Sequence, residues 1–241
     1  MSSKTPFEGR AKMILAHSDP REVRRGEVRR PFFIEITGTP SAGKTTAIGI
    51  LDRFFRRQGF KVWKPTEGAE IVRNVSRKDF LYNIRTGLYA LETLIDYLSS
   101  REFDLVIFDR AVYDAFCWML YWQKKENITP EWKEVIQKFF LHPRWADSVD
   151  LCLFVICKTE EALRRELQWA LTEKLGETTN PSSIDFLLEV WREAYASLKA
   201  KGAPVGLIDT TKLNPREVSE RILEEALAAM ENGLKLKVGT S

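Results

Sequence analysis

A glycine-rich segment at 37–46, TGTPSAGKTT, holds the residues whose types and spacing point most directly to chemistry. Gly38, Gly43, Lys44 and Thr45 fit the pattern G-x-x-x-x-G-K-[ST], which is typical of a loop that cradles phosphates. Glycines are needed because a Cβ would keep the backbone N–H groups from turning toward the phosphates. The lysine places a cation near the β- and γ-phosphates, and the threonine hydroxyl is suited to bind Mg²⁺. The segment therefore predicts a site for the polyphosphate of a nucleotide.

The surroundings of this loop support the prediction. It follows the apolar run FFIEI at 32–36 and precedes AIGILDRFF at 47–55, so it lies between a predicted strand and a predicted helix, as the motif requires. The positive end of that helix would face the anion. We expect the whole loop to bind the nucleotide, namely Gly38, Thr39, Pro40, Ser41, Ala42, Gly43, Lys44, Thr45 and Thr46.

A second acidic residue is expected at the end of another buried strand, where it would hold the metal or its water shell. The run LVIFD ends in Asp109, and Arg110 follows at the same rim. The simpler alternatives are an aspartate that only caps the next helix and an arginine in a surface ion pair. We predict Thr45 and Asp109 as the Mg²⁺ ligands.

Strand and helix patterns alternate after residue 30, which implies a parallel sheet with helices on both faces. Ligands of such sheets bind beyond the carboxyl ends of the strands, where the loop and Asp109 both fall. The expected fold is a three-layer α/β/α P-loop NTPase fold with a five-stranded, mainly parallel sheet and a helical lid. The predicted strands are 31–37, 61–65, 103–109, 149–157 and 204–209. One predicted helix follows the loop and ends near 58, another closes the chain and ends near 230, and the others are 78–100, 111–125, 130–140, 159–174 and 184–200.

Composition narrows the possible classes of protein. The 241 residues suit one α/β domain, and a net charge of +3 argues against a dedicated nucleic-acid binder. The longest apolar run, LCLFVIC at 151–157, is far shorter than the roughly 20 residues of a membrane-spanning helix. The absence of a signal-peptide pattern predicts that the protein is not secreted. Cys117, Cys152 and Cys157 lack metal-site spacing and indicate buried thiols in a reducing compartment, hence a cytoplasmic location.

Five segments in the expected order resemble the thymidylate kinase and deoxynucleoside kinase superfamily of P-loop kinases. FDRAVYDAFCWMLYW resembles the family's D-R-[SYH] segment and the aromatic helix that lines its base pocket, and PTEGAE is similar to its T-R-E-P-G segment. The other three resemble its next helix start, its P-D-L strand with the lid helix, and its last strand with the adenine-side loop. In chain order the five segments are 65–70, 108–122, 128–132, 149–166 and 207–222.

The resemblance implies roles for particular residues. Glu67 matches the carboxylate that acts on the acceptor hydroxyl, and an ordinary loop glutamate is its alternative. Asp109 and Arg110 match the D-R pair that organises metal, acceptor and transition-state charge. Arg164 and Arg165 fall near the lid arginines, which would neutralise charge on the transferred group when the lid closes. Together with Lys44, these are the predicted catalytic residues.

The chain departs from the family pattern at three places. Thr66 stands where thymidylate kinases have an arginine, and Ala111 replaces the usual Ser, Tyr or His after D-R. The segment LQWALTEKLGETTNPSS at 167–183 contains no arginine, so the expected arginine-rich lid is reduced to few cations. The resemblance divides the chain into a basic extension at 1–30, a kinase-like domain at 31–232 with a lid near 160–183, and a tail at 233–241.

Aromatic residues are concentrated on the elements that would surround an acceptor. Bases can stack on such rings, although most aromatics at helical spacing are expected to be core. Asn83 and Arg85 are further residues that could hydrogen-bond an acceptor. The aromatic set is Trp63, Phe80, Tyr82, Tyr89, Tyr113, Phe116, Trp118, Tyr121 and Trp122.

The leading functional hypothesis is an ATP- and Mg²⁺-dependent kinase of a small-molecule nucleoside or nucleoside monophosphate. No N-K-x-D motif is present, which argues against a Ras-like GTPase. A kinase acting on another acceptor, such as a nucleic-acid end, is one alternative, because residues 1–30 hold eight Lys and Arg against four Asp and Glu. A nucleotide-dependent switch protein that is not a kinase is another. The sequence allows a homodimer and favours neither membrane nor nucleic-acid binding.

Overall fold

The computed structural model describes residues 6–17, 30–169 and 179–239, and it places one sheet between two layers of helices. The apolar runs of the sequence become strands that are buried on both faces, as expected of a parallel sheet covered on both sides. The strands are β1 (Phe32–Gly38), β2 (Val62–Trp63), β3 (Leu105–Asp109), β4 (Leu151–Ile156) and β5 (Val205–Asp209).

The strands follow the order β2-β3-β1-β4-β5, and each neighbouring pair is parallel. The five predicted strands are thereby confirmed, and the described sheet is parallel throughout. β1 lies between β3 and β4, so the loop that follows Gly38 is flanked by the carboxyl ends of both neighbours. This position is where a parallel sheet binds its ligands.

The helices confirm the long helical patterns of the sequence. Thr129 caps the helix that begins at Pro130, because its hydroxyl accepts a hydrogen bond from the amide of Trp132. Two four-residue helices were not predicted, since so short a segment cannot show a helical period. The described helices are α1 (Pro6–His17), α2 (Lys44–Arg57), α3 (Gly68–Ile71), α4 (Phe80–Tyr97), α5 (Val112–Lys124), α6 (Pro130–Phe140), α7 (Pro143–Ala146), α8 (Thr159–Trp169), α9 (Pro181–Ala200) and α10 (Pro215–Gly239).

Alternate residues of β1 enter two separate hydrophobic clusters. Phe33 packs with apolar residues of α4, α5 and α9. Ile34 and Ile36 pack on the opposite face with residues of α1, α2 and α10. The result is the predicted three-layer α/β/α arrangement, and the three cysteines are free and buried within it. Within the described ranges, no helix has the length and apolarity needed to cross a bilayer.

Helix α1 of the predicted N-terminal extension packs on the main body of the fold. Ala11 and Ile14 are buried, and the Arg10 guanidinium contacts Glu224 and Glu231 of α10 at 2.6 and 2.7 Å. The basic stretch 21–30 lies outside the described residues, apart from its last arginine.

Helix α10 continues to Gly239, so helical structure runs into the segment predicted as a tail. The proposed boundaries at 30 and 232 stay predictions.

Replacing Arg10 with alanine is expected to lower the free energy of unfolding by about 1 kcal/mol, because a partly buried two-carboxylate network is stronger than an isolated surface pair. The Arg10 side chain is 22% exposed. Arg216 is the matched control, because its side chain pairs with Glu220 and is 88% exposed. Urea unfolding of both alanine variants checks the prediction, and equal shifts would mean that α1 is not held by this network.

Candidate active site

The phosphate loop depends on glycine at two positions for different reasons. Gly38 has a φ of +148°, and a Cβ there would lie 1.8 Å from the carbonyl oxygen of Val155, so β1 could not stay beside β4. Gly43 has a φ of +101° and immediately precedes the first residue of α2. That left-handed turn carries the chain from the loop into the helix.

The loop and the first turn of α2 offer hydrogen-bond donors to a ligand. Because α2 begins at Lys44, the amides of its first turn have no partner within the helix and carry the positive end of the helix dipole. Ser41 also adopts a positive φ, of +52°. The hydroxyl of Thr39 is buried without a hydrogen-bond partner among the described residues. These features suit a phosphate, which accepts several hydrogen bonds at once.

Lys44 lies among charged side chains from three elements. Its Nζ donates to the carbonyl oxygen of Thr39 at 2.8 Å. Burial, and then the positive charge of Arg110, lower the pKa of Lys44 to about 8, while Asp109 and Glu67 oppose the shift. The predicted catalytic residues Lys44, Glu67, Asp109 and Arg110 therefore act on one another electrostatically, and we call them the charge cluster.

Glu67 and Arg110 form the direct contact within the charge cluster. The Nε of Arg110 lies 3.2 Å from Oε1 of Glu67, in an ion pair without aligned hydrogen-bond geometry. Burial raises the pKa of Glu67, and the positive charge of Arg110 only partly opposes it. Burial alone would lower the pKa of Arg110, but the carboxylates of Asp114, Glu67 and Asp109 outweigh it and the pKa is raised. The arginine is therefore a permanent cation beside a carboxylate that binds protons more readily than usual.

Asp109 and Thr45 are the two predicted ligands of a divalent cation. Oδ1 of Asp109 is buried and has no hydrogen-bond partner in the described part of the chain. Burial raises the pKa of Asp109, against the influence of Arg110 and Lys44. The described residues contain no group of three or more metal-binding side chains. Magnesium at phosphates commonly uses one or two protein ligands, so Asp109 fits it, and Thr45, in the first turn of α2, stays a predicted ligand.

Sequence reasoning missed a fully buried glutamate that holds this region together. Glu35 accepts hydrogen bonds from the amides of Ala111, Tyr113 and Asp114 at 2.9, 3.1 and 2.7 Å. It thereby caps α5 from β1 and fixes the turn in which Arg110 has a φ of +64°. The signal was a single carboxylate within the apolar run FFIEI, which has no reason to be buried unless it is hydrogen-bonded.

Asp114 is a second residue that sequence reasoning missed. It lies four positions after Arg110, and their side chains are 3.9 Å apart. Its Oδ1 accepts a hydrogen bond from the hydroxyl of Thr37, which in turn accepts one from Nε1 of Trp191 at 2.9 Å. This chain of contacts ties α5 to β1 and α9 behind the charge cluster.

The two predicted lid arginines line a cleft of about 600 Å³ above the phosphate loop. Arg164 pairs with Glu161 at 2.6 Å. Arg165 donates to the carbonyl oxygens of Ser41 and Thr210 at 3.3 and 2.9 Å. Both guanidinium groups are thus engaged with protein groups.

The remainder of the predicted lid is only partly described. Residues 170–178 lie outside the described residues. Glu166, which was not predicted, contacts the loop because its carboxylate accepts a hydrogen bond from the hydroxyl of Ser41 at 2.6 Å.

A second, smaller pocket of about 30 Å³ lies between α3, α4 and α5, and we call it the pit. Glu67, Arg110 and Asp114 line one part of it, so it adjoins the charge cluster. Of the nine aromatic residues expected around an acceptor, Tyr82 and Trp118 line the pit. Most of the others pack in the core, such as Tyr113, Phe116 and Trp122. Asn83 also lines the pit, whereas Arg85 is exposed.

Comparison with known proteins gives a limited match in sequence. No family model matches the chain. The signal recognition particle 54 kDa protein of Pyrococcus furiosus is 26% identical over an alignment of 128 residues, and the match covers 45% of this chain. The matched part is 26% of the length of that relative.

Solved structures match over most of the chain. A deoxyadenosine kinase from M. mycoides with bound dCTP is 16% identical, with a TM-score of 0.56, and the match covers 82% of this chain and 100% of that one. A thymidylate kinase from Candida albicans is 15% identical, with a TM-score of 0.56, and the match covers 83% and 94%. At such identities the likeness concerns the fold. The chain has the three-layer α/β fold of the P-loop kinases.

Proposed function

We propose that the protein transfers a phosphoryl group from ATP to a nucleoside or a nucleoside monophosphate. The observation that carries the proposal is the ion pair of Glu67 with Arg110, because both residues line the pit and both act on Lys44 of the phosphate loop. A kinase needs a second pocket beside its phosphate loop, and needs a carboxylate in it. The fold shared with a deoxyadenosine kinase and a thymidylate kinase supports this class of acceptor.

The chemistry follows from the charge cluster. A bond forms between the γ-phosphorus and the attacking oxygen of the acceptor, which is the hydroxyl oxygen of a nucleoside or a phosphate oxygen of a monophosphate, while the bond from that phosphorus to the oxygen of ADP breaks. Where the acceptor is a nucleoside, Glu67 takes the hydroxyl proton, and burial raises the pKa of Glu67, which makes the carboxylate a stronger base. Lys44 and Arg110 offset negative charge on the transferred group. Catalysis then comes mainly from positioning and charge neutralisation.

Thr45 and Asp109 are the residues that we propose to hold Mg²⁺, with phosphate oxygens and water as its other ligands. The buried, unpartnered Oδ1 of Asp109 supports this role. When bound, the ion would neutralise negative charge on the phosphates.

Closure of the lid is a further part of the proposal. Arg164 and Arg165 are held by Glu161, Ser41 and Thr210. To contact a transferred phosphoryl group, they would have to exchange these contacts for contacts with phosphate. We propose that nucleotide binding drives this exchange and the closure of the lid, because a triphosphate in the cleft competes for the same guanidinium groups.

The proposal is tested with a panel of nucleosides and nucleoside monophosphates. We expect ADP to form from ATP and Mg²⁺ much faster with one class of acceptor than with none, and the phosphorylated acceptor to appear in equal amount. Basal hydrolysis that no acceptor stimulates would contradict a kinase.

One observation favours a second candidate, a nucleotide-dependent binding protein without phosphoryl transfer. No guanidinium of the described part of α8 is free of a protein partner, since Arg164 and Arg165 are both paired. Such a protein would bind ATP and change its affinity for a partner without acceptor-dependent turnover. The acceptor panel separates the two candidates.

Three further features belong to the proposal. Cytoplasmic location is proposed because the three free cysteines are buried thiols suited to a reducing compartment. A homodimer is compatible with the proposal.

Binding of a nucleic-acid end is tested by changing Arg21, Arg24, Arg25 and Arg29 to glutamine, which leaves α1 in place. Loss of salt-sensitive binding to a polynucleotide would favour that acceptor.

The affinity for ATP is expected to fall as pH rises through about 8, which is the pKa of Lys44 in the free protein. Only the ammonium form attracts the triphosphate, so bound nucleotide raises this pKa and binding above it takes up a proton. The loss is at most about tenfold for each pH unit above the pKa. Calorimetry in buffers of different ionisation enthalpy measures both quantities. The same pH dependence in a Lys44→Met variant would contradict the assignment to Lys44.

A further inference from the structure

The pit is lined by hydrogen-bond donors that lack partners. The indole Nε1 of Trp118 and the hydroxyl of Tyr82 are both inaccessible to solvent, and neither has a hydrogen-bond partner within the described ranges. Tyr82 as a whole is only 7% exposed. Buried polar groups are almost always paired, and leaving one unpaired destabilises the protein. Two such groups around one pocket point to a ligand that accepts hydrogen bonds there.

A third donor is oriented by a neighbouring tryptophan. Nε1 of Trp122, which can only donate, is 2.8 Å from Oδ1 of Asn83. The carbonyl end of this side-chain amide is therefore occupied, and the NH₂ end is the part left for a ligand. Asn83 is 6% exposed and lines the pit.

The carboxylates that line the pit are already engaged. Glu67 is paired with Arg110 at 3.2 Å. Asp114 accepts from Thr37 and lies 3.9 Å from Arg110. The polar groups of α4 and α5 that are left for a ligand of the pit are therefore mostly hydrogen-bond donors.

We propose that the pit selects its acceptor through a carbonyl oxygen of the base, read by Tyr82, Asn83 and Trp118. The inference rests on the proposed function and names the substrate class of the same site. The pit has about 30 Å³, which is room for only a few atoms, so the carbonyl oxygen enters it and the ring stays outside. A base that presents an amino group at this edge would leave the indole N–H of Trp118 and the NH₂ of Asn83 without an acceptor, and would bind more weakly.

The experiment compares two pairs of acceptors, supplied as nucleosides and as monophosphates, in which the members of a pair differ by one oxo oxygen and by the proton on the ring nitrogen beside it. The pairs are deoxyinosine with purine deoxyriboside, and deoxyuridine with pyrimidin-2-one deoxyriboside. In the unchanged protein we expect the oxo member of at least one pair to have about tenfold higher kcat/KM, through KM, since its partner leaves a buried donor unpaired. In Tyr82→Phe or Trp118→Phe this preference should largely disappear, with KM for ATP unchanged.

Tyr97→Phe is the matched control, because Tyr97 lies on the same helix but packs against Trp63 and Phe103. This variant should keep the preference, and urea unfolding identifies any variant whose stability has changed. Transfer with the same oxo preference in Tyr82→Phe and Trp118→Phe as in the unchanged protein would overturn this inference and leave the proposed function standing. So would a best acceptor, such as deoxyadenosine, whose base has an amino group and no carbonyl oxygen. Absence of transfer to every acceptor would overturn both.

Discussion

Replacing Lys44 with methionine is expected to lower the rate of phosphoryl transfer by about 100- to 1,000-fold, the usual effect of removing one preorganised donor to developing charge. Methionine keeps most of the aliphatic stem of Lys44 and removes its charge. The ammonium donates to the carbonyl oxygen of Thr39 and lies in the electrostatic field of Asp109 and Arg110. Its loss leaves Arg110 as the nearby cation of the charge cluster.

The same variant should bind ATP more weakly, since we propose that the ammonium contacts the polyphosphate in the ground state as well. Calorimetry with ATP, and with pyrophosphate as a fragment of it, measures this loss. Lys138→Met is the matched control, because Lys138 is an exposed lysine of α6 paired with Glu134. Undiminished affinity in Lys44→Met would refute the assignment of the loop as the triphosphate site, and with it the proposed function.

The parts of the site that could be predicted from the sequence are those whose chemistry depends on local spacing. The loop that begins at Gly38 could be predicted from its glycines, because a loop that follows a buried strand and turns into a helix needs glycine at these positions. Asp109 could be predicted for a related reason, since parallel strands bring their carboxyl ends to one edge. Both predictions required the order of elements and not their packing.

The pit could not be predicted, because it depends on how three helices pack. Nine aromatic residues were expected around an acceptor, yet only the packing of the helices separates a core residue such as Phe116 from Tyr82 and Trp118, which line the pit. Gly87 shows what decides the packing: a Cβ there would lie 2.8 Å from the ring of Phe140 and 2.9 Å from Ala115. No periodicity in the sequence reports that close approach.

The supporting carboxylates were missed for an electrostatic reason. Glu35 is a charged residue in a strand that is otherwise largely apolar. Its burial is explained only by the amides at the start of α5, which donate hydrogen bonds to its carboxylate. Burial and the nearby charge of Asp114 raise the pKa of Glu35 to about 8. A residue with this environment positions Arg110 through the backbone. Its role is visible only once β1 and α5 are placed together.

Replacing Glu67 with glutamine is expected to reduce transfer to a nucleoside by about 100- to 10,000-fold, the range for loss of a general base. Glutamine has nearly the same shape, but it cannot take the acceptor proton or pair with Arg110. The rate in the unchanged protein should rise with pH through the raised pKa of Glu67, because only the deprotonated carboxylate is a base. This acid limb should vanish in the variant. Single-turnover rates across pH measure both effects, with Glu92→Gln on the exposed side of α4 as the control. Glu67 would not be the base if Glu67→Gln kept the rate within about twofold, a factor far below the general-base range, or kept the same acid limb.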